Sequence, residues 1–465
     1  MSWKEEVDGI LRRRELALEL GGAEAIAQTH AKGRLTVRER VDALVDRGSF
    51  REYGRVAGQS ELDEDGRLTG FTAANTVVGT ALVEGRRVVV CGDDFTIRGA
   101  AYSAAGLKKG QYAEQLSIQR KLPLVRLLDS GGASITGATA TKGRSGYDLT
   151  MPSVMNAQSQ STLSVVPVVC AALGPVAGFP AARLVASHFS IMTRDTSQVL
   201  TGGPALVERA IRESTTKEAL GGSKVHGRSG IIDNVADDEA DVWRQIRSFL
   251  SYLPTSVWEL PSVIETDDPR DRRDEQLLSI IPENRRRAYK IRRVIESIVD
   301  RGSFFEKTTG YGRSQVTGFA RMNGQPVGIF ANDCFHDGGS MTATSAQKMR
   351  RFVELCDTFH LPVVSLVDEP GFMIGEAAER AGTIRYGMEA LFAASQTTVP
   401  WIAIVLRRAF GVALGIHLGP GATVLAWPSA EVGALPVEAG VSLAFRREIE
   451  AAEDPDARRR EIEDE

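Results

Sequence analysis

Cysteine and histidine are scarce in this chain of 465 residues, which contains four cysteines and six histidines. The cysteines are Cys91, Cys170, Cys334 and Cys356, and no two of them have the CxxC spacing of a zinc ribbon. The histidines show no spacing typical of metal ligands either. We therefore expect no metal site and no disulfide framework, and free cysteines are typical of a reducing compartment.

Strong charge of one sign and long apolar runs are also lacking. The net charge is only −4 and charged residues make up 25% of the chain, which does not favour a nucleic-acid-binding protein. Residues 1–15 are charged and amphipathic, without the apolar core of a signal peptide. The longest apolar runs, such as residues 165–173, are too short to span a bilayer. These features predict a cytoplasmic protein that binds neither nucleic acid nor membrane.

Most familiar catalytic motifs are missing as well. The chain has no GxSxG, HExxH, GxxxxGK or GxGxxG pattern. A chain of this length without an evident acid–base side chain leaves two interpretations. Either the protein is not an enzyme, or backbone groups and a cofactor carry out the chemistry.

The chain does contain an internal repeat. The hexapeptide Val45–Phe50 recurs unchanged as Val299–Phe304. Two further pairs of segments match more weakly: 122–129 with 361–368, and 166–178 with 399–411. Each of these four segments has an apolar run behind a proline and ends in Asp or Gly, which predicts a buried strand and a tight turn. Two copies of one domain explain the repeat.

Amphipathic segments alternate with these strands. Helices are predicted over residues 104–120, 345–360 and 385–396. The alternation of strands and helices indicates the α/β class with right-handed βαβ connections. Between the copies, residues 253–288 are rich in proline and charge and predict a surface linker.

Glycine follows the predicted strands at matching places in both copies. Glycine there admits close approach of a ligand and lets backbone N–H groups point into a cleft. Two such N–H groups before a helix can form an oxyanion hole. At one site a tight turn without a ligand is an equally good explanation, but two equivalent sites favour function. The candidate ligand-contacting residues are Gly131, Gly132, Ala133, Gly174 and Gly411.

Six short motifs occur in a fixed order along the chain. They are Gly33–Arg40, Asp46–Phe50, Asp129–Ala133, Ser251–Pro254, Asp368–Phe372 and Ala426–Pro428. Each is weak alone, but their order and spacing are specific. In these motifs the chain resembles the biotin-dependent carboxyltransferase family, the β subunits of propionyl-CoA and related acyl-CoA carboxylases.

The resemblance implies two tandem crotonase-like domains of the ClpP/crotonase ββα-spiral type. The first, residues 1–255, is expected to bind acyl-CoA, and the second, residues 256–465, to bind carboxybiotin. The family places its active site between domains of different subunits in a ring-like homo-hexamer, a trimer of dimers. Because this chain has no Met-Lys-Met motif, the biotin is expected on a separate carrier, partnered with a biotin carboxylase subunit.

The family also implies a mechanism without a catalytic side chain. Carboxybiotin releases carbon dioxide, the ureido nitrogen takes the α-proton of the thioester, and the resulting enolate attacks carbon dioxide. Two anions then need backbone N–H donors. The resemblance assigns Gly178 and Phe179 to the thioester, and Val412 and Ala413 to biotin. Pro180 has no N–H to donate.

Some positions depart from the family pattern. Phe179 and Val412 stand where a second glycine is usual, and Ser134 replaces an arginine. Gly415 stands where the family often has Asp or a branched residue linked to acyl-chain choice, which predicts room for an acyl chain longer than propionyl. Three cations are candidates for CoA phosphates or, more simply, for solvated surface charges: Lys109, Lys348 and Arg126.

Three other functions fit parts of the pattern. The same site could serve a decarboxylase or transcarboxylase, because the chemistry is nearly reversible. A crotonase-type hydratase or isomerase would need a glutamate near the thioester, for which Glu369 and Glu431 are candidates. In a non-catalytic assembly subunit, the changes at Phe179 and Val412 would mark lost activity.

Overall fold

The computed structural model describes residues 3–132, 159, 161–285 and 287–464, and the chain forms two compact units, Met1–Leu260 and Pro261–Glu465. Each unit contains one large mixed sheet flanked by helices. No helix of the described residues is long and apolar enough to cross a membrane.

The first unit has ten strands: β1 (Arg51–Tyr53), β2 (Gly58–Leu62), β3 (Leu68–Ala73), β4 (Thr76–Val83), β5 (Arg86–Asp93), β6 (Leu124–Ser130), β7 (Val168–Ala177), β8 (Phe189–Thr193), β9 (Gln198–Leu200) and β10 (Asn234–Ala236) among its described residues. Its helices are α1 (Lys4–Leu16), α2 (Ala23–His30), α3 (Val37–Leu44), α4 (Ala104–Arg120), α5 (Phe179–Val185), α6 (Pro204–Ile211), α7 (Lys217–Gly221), α8 (Ser223–Ser229) and α9 (Glu239–Tyr252), with a 3-10 turn at Arg98–Ala100. The sheet order is β1-β4-β5-β6-β7-β8-β10, with β9 also paired to β7, and β2 and β3 form a separate hairpin.

The second unit has strands β11 (Phe305–Lys307), β12 (Gln315–Met322), β13 (Gln325–Asn332), β14 (Val363–Glu369), β15 (Trp401–Phe410), β16 (Thr423–Ala426) and β17 (Glu431–Gly433). Its helices are α10 (Ile291–Ile298), α11 (Ala343–Thr358), α12 (Glu376–Arg380), α13 (Thr383–Ser395), α14 (Val437–Ala444), α15 (Arg446–Ala451) and α16 (Pro455–Asp464). Three 3-10 segments complete it: Glu275–Leu278, Asp337–Gly339 and Val412–His417. The sheet order is β11-β12-β13-β14-β15-β16, with β17 also paired to β15.

The two sheets have the same topology. Strands β1, β4, β5, β6, β7 and β8 of the first unit correspond in order to β11 through β16 of the second, and β9 corresponds to β17. In both sheets the first three strands are antiparallel and the following ones are parallel. The repeat predicted from the sequence is therefore confirmed, and so is the α/β class.

The repeated hexapeptide performs the same task in both units. The carboxylate of Asp46 accepts hydrogen bonds from two backbone N–H groups of the β4–β5 turn, at 2.9 and 2.8 Å. Asp300 does the same for the β12–β13 turn, at 2.8 and 2.7 Å. Each turn needs a glycine in the left-handed region, Gly85 at φ 77° and Gly324 at φ 76°. The hexapeptide thus fixes the hairpin at the start of each sheet.

The central parallel strands lie in the core of each unit. All residues of β6 and β14 are buried, which explains why apolar residues predominate in both strands. Helix α4 begins where the Ser103 hydroxyl caps it, and α11 begins at a capping box formed by Thr342 and Ser345. The three helices predicted from amphipathic segments are α4, α11 and α13, with ends within two residues of those expected.

Candidate functional site

The end of β6 lies against the end of β7 in the first unit. Gly132 has φ 79°, and a Cβ atom there would lie 2.6 Å from the carbonyl oxygen of Ala177, so only glycine fits. The N–H of Gly132 donates to Ser130 Oγ at 3.2 Å, and that of Gly131 donates to the carbonyl of Gly99 at 3.2 Å. The structure thus brings Gly131 and Gly132 to the strand end where a ligand was expected.

The turn after β7 carries the two residues predicted as donors to the thioester, Gly178 and Phe179. Gly178 is exposed, has φ 68° and ψ −129°, and its N–H donates to the carbonyl of Leu200 at 3.0 Å. That bond corrects the expectation that Gly178 offers its N–H to a substrate. Phe179 begins helix α5, where an N–H has no acceptor within the helix, and Pro180 has no N–H. Phe179 is therefore the donor that this turn can present.

Two further predicted positions lie outside the described residues. They are Ala133, a candidate ligand contact, and Ser134, which replaces the arginine usual in the family.

The side chain of Phe179 contacts Tyr102, a residue that lines an open cleft. Its ring packs edge-on against Tyr102 with the centroids 6.2 Å apart, and the guanidinium of Arg183 lies 4.7 Å from its centroid. Tyr102 also lines a cleft of about 760 Å³, which is bounded by the β2–β3 hairpin and by residues 97–105. A cleft of this size can hold an extended ligand.

A smaller polar cavity of about 40 Å³ lies on the other side of Tyr102. Its walls include Asp93, Arg126 and Arg183. Burial raises the pKa of Asp93 to about 7, although its hydrogen bond with the backbone N–H of Asp129 acts in the opposite direction. Asp93 is thus an acid that changes charge near neutral pH, next to the cleft.

Gly174 is not a ligand contact. It is buried within β7, and a Cβ atom there would lie 2.1 Å from Asp129 Oδ1 and 2.3 Å from Arg34 Nη1. Arg34 and Arg40 both bind the buried Asp129 carboxylate at 2.9 Å, and Arg40 also binds Glu239. Glycine is needed at this position because the ion pairs fill the space, and this corrects the prediction. The arginines of the Gly33–Arg40 motif therefore support the strand end.

The second unit repeats this turn with a different helix type. Gly411 is exposed, has φ 64° and donates its N–H to the carbonyl of Gly433 at 3.1 Å, as Gly178 does to Leu200. A 3-10 turn begins at the next residue, so the N–H groups of Val412 and Ala413 have no acceptor within it. The Val412 side chain is 59% exposed and that of Ala413 is buried. Both residues predicted as donors thus lie at the start of this turn, and of the two it is Val412 that reaches the surface.

Gly415 leaves no extra room in the second unit. A Cβ atom there would lie 2.9 Å from Cδ1 of Leu391, which projects from α13. The Leu391 side chain fills the space that the missing side chain leaves. Extra room for a longer acyl chain stays a prediction, and in this chain it would require Leu391 to move.

An aspartate supports the second strand end just as Asp129 supports the first. Asp368 is fully buried and binds Arg407 at 2.8 Å and Arg408 at 2.7 Å. Burial alone would raise the pKa of Asp368, but hydrogen bonds from Arg408 and Arg407 outweigh it and hold the pKa below its ordinary value. The sequence placed this aspartate at the strand end but gave no signal for its partners.

Both glutamates that a hydratase could use as its acid–base group are bound to other side chains. Glu369 is fully buried, and its Oε2 lies 3.3 Å from Nε2 of the equally buried His417. Glu431 lies on β17 and binds Arg285 Nε at 2.7 Å. Neither is a free carboxylate that faces a thioester. His417 was missed from the sequence, because its contacts come from residues far away along the chain.

The three candidate phosphate-binding cations are buried. They are therefore neither CoA-phosphate ligands nor solvated surface charges. Lys109 lies 4.0 Å from Glu52, and burial lowers its pKa. Lys348 donates to the backbone carbonyl of Gln315 at 2.7 Å. Arg126 is 3% exposed and pairs with a glutamate of α4. All three hold the fold together.

Comparison with known proteins decides the family. Residues 28–465 match the family described as the carboxyl transferase domain. The chain belongs to the carboxyl transferase family. This carboxyl transferase is 33% identical to the propionyl-CoA carboxylase carboxyltransferase subunit of Haloferax mediterranei, over 99% of this chain and 89% of that protein. It is 32% identical to the methylmalonyl-CoA decarboxylase subunit alpha of Veillonella parvula, over 94% of this chain and 85% of that protein.

A solved structure supports the same assignment. The hexameric transcarboxylase 12S, determined with methylmalonyl-coenzyme A and methylmalonic acid bound, matches the carboxyl transferase with a TM-score of 0.89 at 30% identity, and the match covers all of this chain and 89% of that one. The tandem crotonase-like fold and the enzymatic nature of the protein are thus confirmed. Within the described residues, no three His, Cys, Asp or Glu side chains are grouped as metal ligands.

Proposed function

We propose that this carboxyl transferase moves a carboxyl group from carboxybiotin, held on a separate carrier protein, to the α-carbon of an acyl-CoA. The observation that carries the proposal is the repeated turn at Gly178 and Gly411. In each unit a left-handed glycine precedes a short helix whose first N–H groups have no acceptor within it. Two such sites match a reaction that develops negative charge on two oxygens.

The first unit is proposed to hold the acyl-CoA. The cleft beside Tyr102 supports this role because it is large and because the Phe179 ring packs against Tyr102. That N–H, at the positive end of α5, would donate to the thioester oxygen as the enolate forms. A single well-placed donor of this kind contributes about 3 to 4 kcal/mol to lowering the barrier. Gly178 contributes through its backbone conformation instead.

The second unit is proposed to hold biotin. When bound, carboxybiotin supplies the carbon dioxide and the base for the α-proton. The N–H groups of Val412 and Ala413 would donate to the ureido oxygen, on which negative charge develops. A neutral, planar ureido ring fits this place, since the turn offers N–H donors and the apolar Val412 side chain.

Further parts of the proposal concern partners. We expect a biotin carboxylase and a biotin carboxyl carrier to act with this subunit, because biotin must be carboxylated before transfer. A homo-hexamer, a trimer of dimers, is proposed because the matching transcarboxylase 12S structure is described as a hexamer assembly. A cytoplasmic location is proposed on the basis of composition.

The direction of transfer is the main alternative. A relative from Veillonella parvula is named a methylmalonyl-CoA decarboxylase subunit, so the family includes enzymes that work in the reverse direction. Both directions pass through the same two anions and would use the same donors. We favour carboxylation because the relative from Haloferax mediterranei is named a carboxylase subunit.

A carboxylation assay tests the proposal. The full chain is combined with a biotin carboxylase, a biotinylated carrier, ATP and radiolabelled bicarbonate, and acetyl-, propionyl- and longer acyl-CoAs are offered in turn. We expect acid-stable label in at least one acyl-CoA product, and none when the carrier lacks biotin. Absence of transfer to every thioester, with a carrier that does become carboxylated, would contradict the proposal.

A further inference from the structure

A chain of polar side chains lies beneath the proposed biotin turn. Ser365 in the middle of β14, Glu369 at its end and His417 at the end of the 3-10 turn are all 0% exposed. His417 Nδ1 lies 2.8 Å from Ser365 Oγ, and its Nε2 lies 3.3 Å from Glu369 Oε2. The Phe330 ring stacks on the imidazole with the centroids 4.3 Å apart. The imidazole is thus held at both nitrogens and on one face.

The hydrogen-bond donors around Glu369 fix the direction of this chain. Its Oε1 accepts the backbone N–H of Gly371 at 2.9 Å, and its Oε2 accepts the side-chain amide of Asn332 at 3.0 Å. A carboxylate only accepts hydrogen bonds, so Nε2 of His417 donates to it. Nδ1 of His417 forms the other hydrogen bond of the ring, with the Ser365 hydroxyl at 2.8 Å. The chain therefore runs from Ser365 through His417 to Glu369.

Glu369 holds both segments that flank the proposed biotin site. Through Gly371 it fixes the loop after β14, and through His417 it fixes the far end of the turn that begins at Val412. Rotation of this turn would move the N–H groups of Val412 and Ala413 away from their target. A displacement of about 1 Å at a catalytic group can cost on the order of a hundredfold in rate.

The first unit shows that this chain of groups is not required by the fold. Leu184 stands at the position equivalent to His417 and is fully buried in apolar surroundings. Ser130 stands at the position equivalent to Glu369; its hydroxyl accepts the N–H of Gly132 and donates to the carbonyl of Ala100. A regular α-helix follows the first turn, whereas a 3-10 segment follows the second. The polar connection is thus specific to the second unit.

We propose that His417 is a positioning residue, which holds the 3-10 turn through Glu369 so that the N–H groups of Val412 and Ala413 stay aimed at the ureido oxygen. This inference rests on the proposed function. It adds a residue that does not contact the substrate and that acts only on the biotin side of the reaction.

Two substitutions of His417, with side chains of different length, test the positioning role. In His417→Gln the amide nitrogen lies where Nε2 was and still reaches Glu369, whereas in His417→Asn the shorter side chain reaches only Ser365. The reaction measured is carboxyl transfer from methylmalonyl-CoA to free biotin, by the full-length protein. We expect H417N to lose about tenfold in kcat, with the KM for the acyl-CoA unchanged, and H417Q to stay within about threefold of the wild type.

Controls separate positioning from general damage. His360→Asn changes a histidine at the opposite end of β14, at a left-handed position that asparagine tolerates, and should leave kcat and KM unchanged. Ser365→Ala removes only the hydroxyl that contacts Nδ1 of His417, and we expect about a threefold lower kcat in a protein that still folds. This milder variant provides the test if H417N does not fold.

The outcomes are distinguishable. Equal kcat values in H417N, H417Q and the wild type would overturn the inference, as would an unchanged kcat in S365A if H417N is unfolded. A raised KM for the acyl-CoA with a normal kcat would also overturn it, because the effect would then not be on the biotin side. A wild-type protein without transfer from methylmalonyl-CoA or from any other carboxylated acyl-CoA would contradict the proposed function itself.

Discussion

Asp129 and Asp368 show how single residues support each strand end. Each is completely buried at the end of a central parallel strand, and each is neutralised by two arginines. An unpaired buried charge is far more costly than a paired one, so such clusters fail when one member is removed. The aspartates thus hold the loops that carry the proposed ligand contacts.

Asp129→Asn should strongly destabilise the first unit. The amide leaves Arg34 and Arg40 without part of their buried countercharge, which typically costs about 3 to 5 kcal/mol. Thermal unfolding should show a melting temperature lowered by several degrees. Glu15→Gln is the matched control, since Glu15 belongs to an exposed ion pair with Arg12, and it should change the melting temperature very little. Equal melting temperatures for D129N and the wild type would show that the buried pairs contribute nothing.

Asp93 predicts a dependence of stability on pH. Because burial raises its pKa to about 7 from the ordinary 3.8, the folded protein keeps a proton that the unfolded chain has already released between these values. This contribution to stability is therefore lost as the pH rises toward 7. Asp93→Asn mimics the protonated acid and should raise the melting temperature more at pH 8 than at pH 5.5. The corresponding gain in the free energy of unfolding is at most about 4 kcal/mol.

The control for this effect is an exposed aspartate. Asp65→Asn lies on the β2–β3 turn, where the side chain is 77% exposed, and it should shift the melting temperature equally at both pH values. If D93N also gave the same shift at pH 5.5 and pH 8, the raised pKa of Asp93 would be wrong.

At the scale of elements, the repeated hexapeptide holds the turn of one hairpin in each unit in the same way. Asp46→Ala and Asp300→Ala each remove an acceptor for two turn N–H groups. We expect each substitution to cost about 1 to 2 kcal/mol. Hydrogen exchange should speed up at the Gly85 amide in D46A and at the Gly324 amide in D300A, each without change in the other hairpin. Unchanged exchange at both turns would contradict the equivalent roles.

The elements that could be predicted from the sequence are those marked by local patterns. The mostly apolar segments behind Pro123 and Pro362 predicted β6 and β14, because fully buried parallel strands are rich in apolar residues. The pairings of β9 and β17 could not be predicted, since each has only three residues. The hydrogen bond from the Gly178 N–H to Leu200, which lies on β9, could therefore not be predicted either. Contacts between distant residues, such as those of His417, leave no pattern in the sequence.

At the scale of the whole molecule, duplication explains why one chain has two proposed oxyanion sites. The same sheet topology places a glycine turn after β7 and after β15, and the two turns then differ in detail. Pro180 removes a donor in the first unit, whereas Ala413 keeps it in the second. One duplicated fold can thus serve two different anions.

The most direct test of the account removes one backbone donor. Ala413→Pro deletes a single N–H at the place that Pro180 occupies in the first unit. Pro180→Ala is the matched control and should leave the rate of carboxyl transfer nearly unchanged. If the second turn stabilises the biotin oxyanion, kcat for carboxyl transfer in A413P should fall about 100- to 1,000-fold, with the fold intact. A folded A413P variant with the wild-type kcat would contradict the central claim.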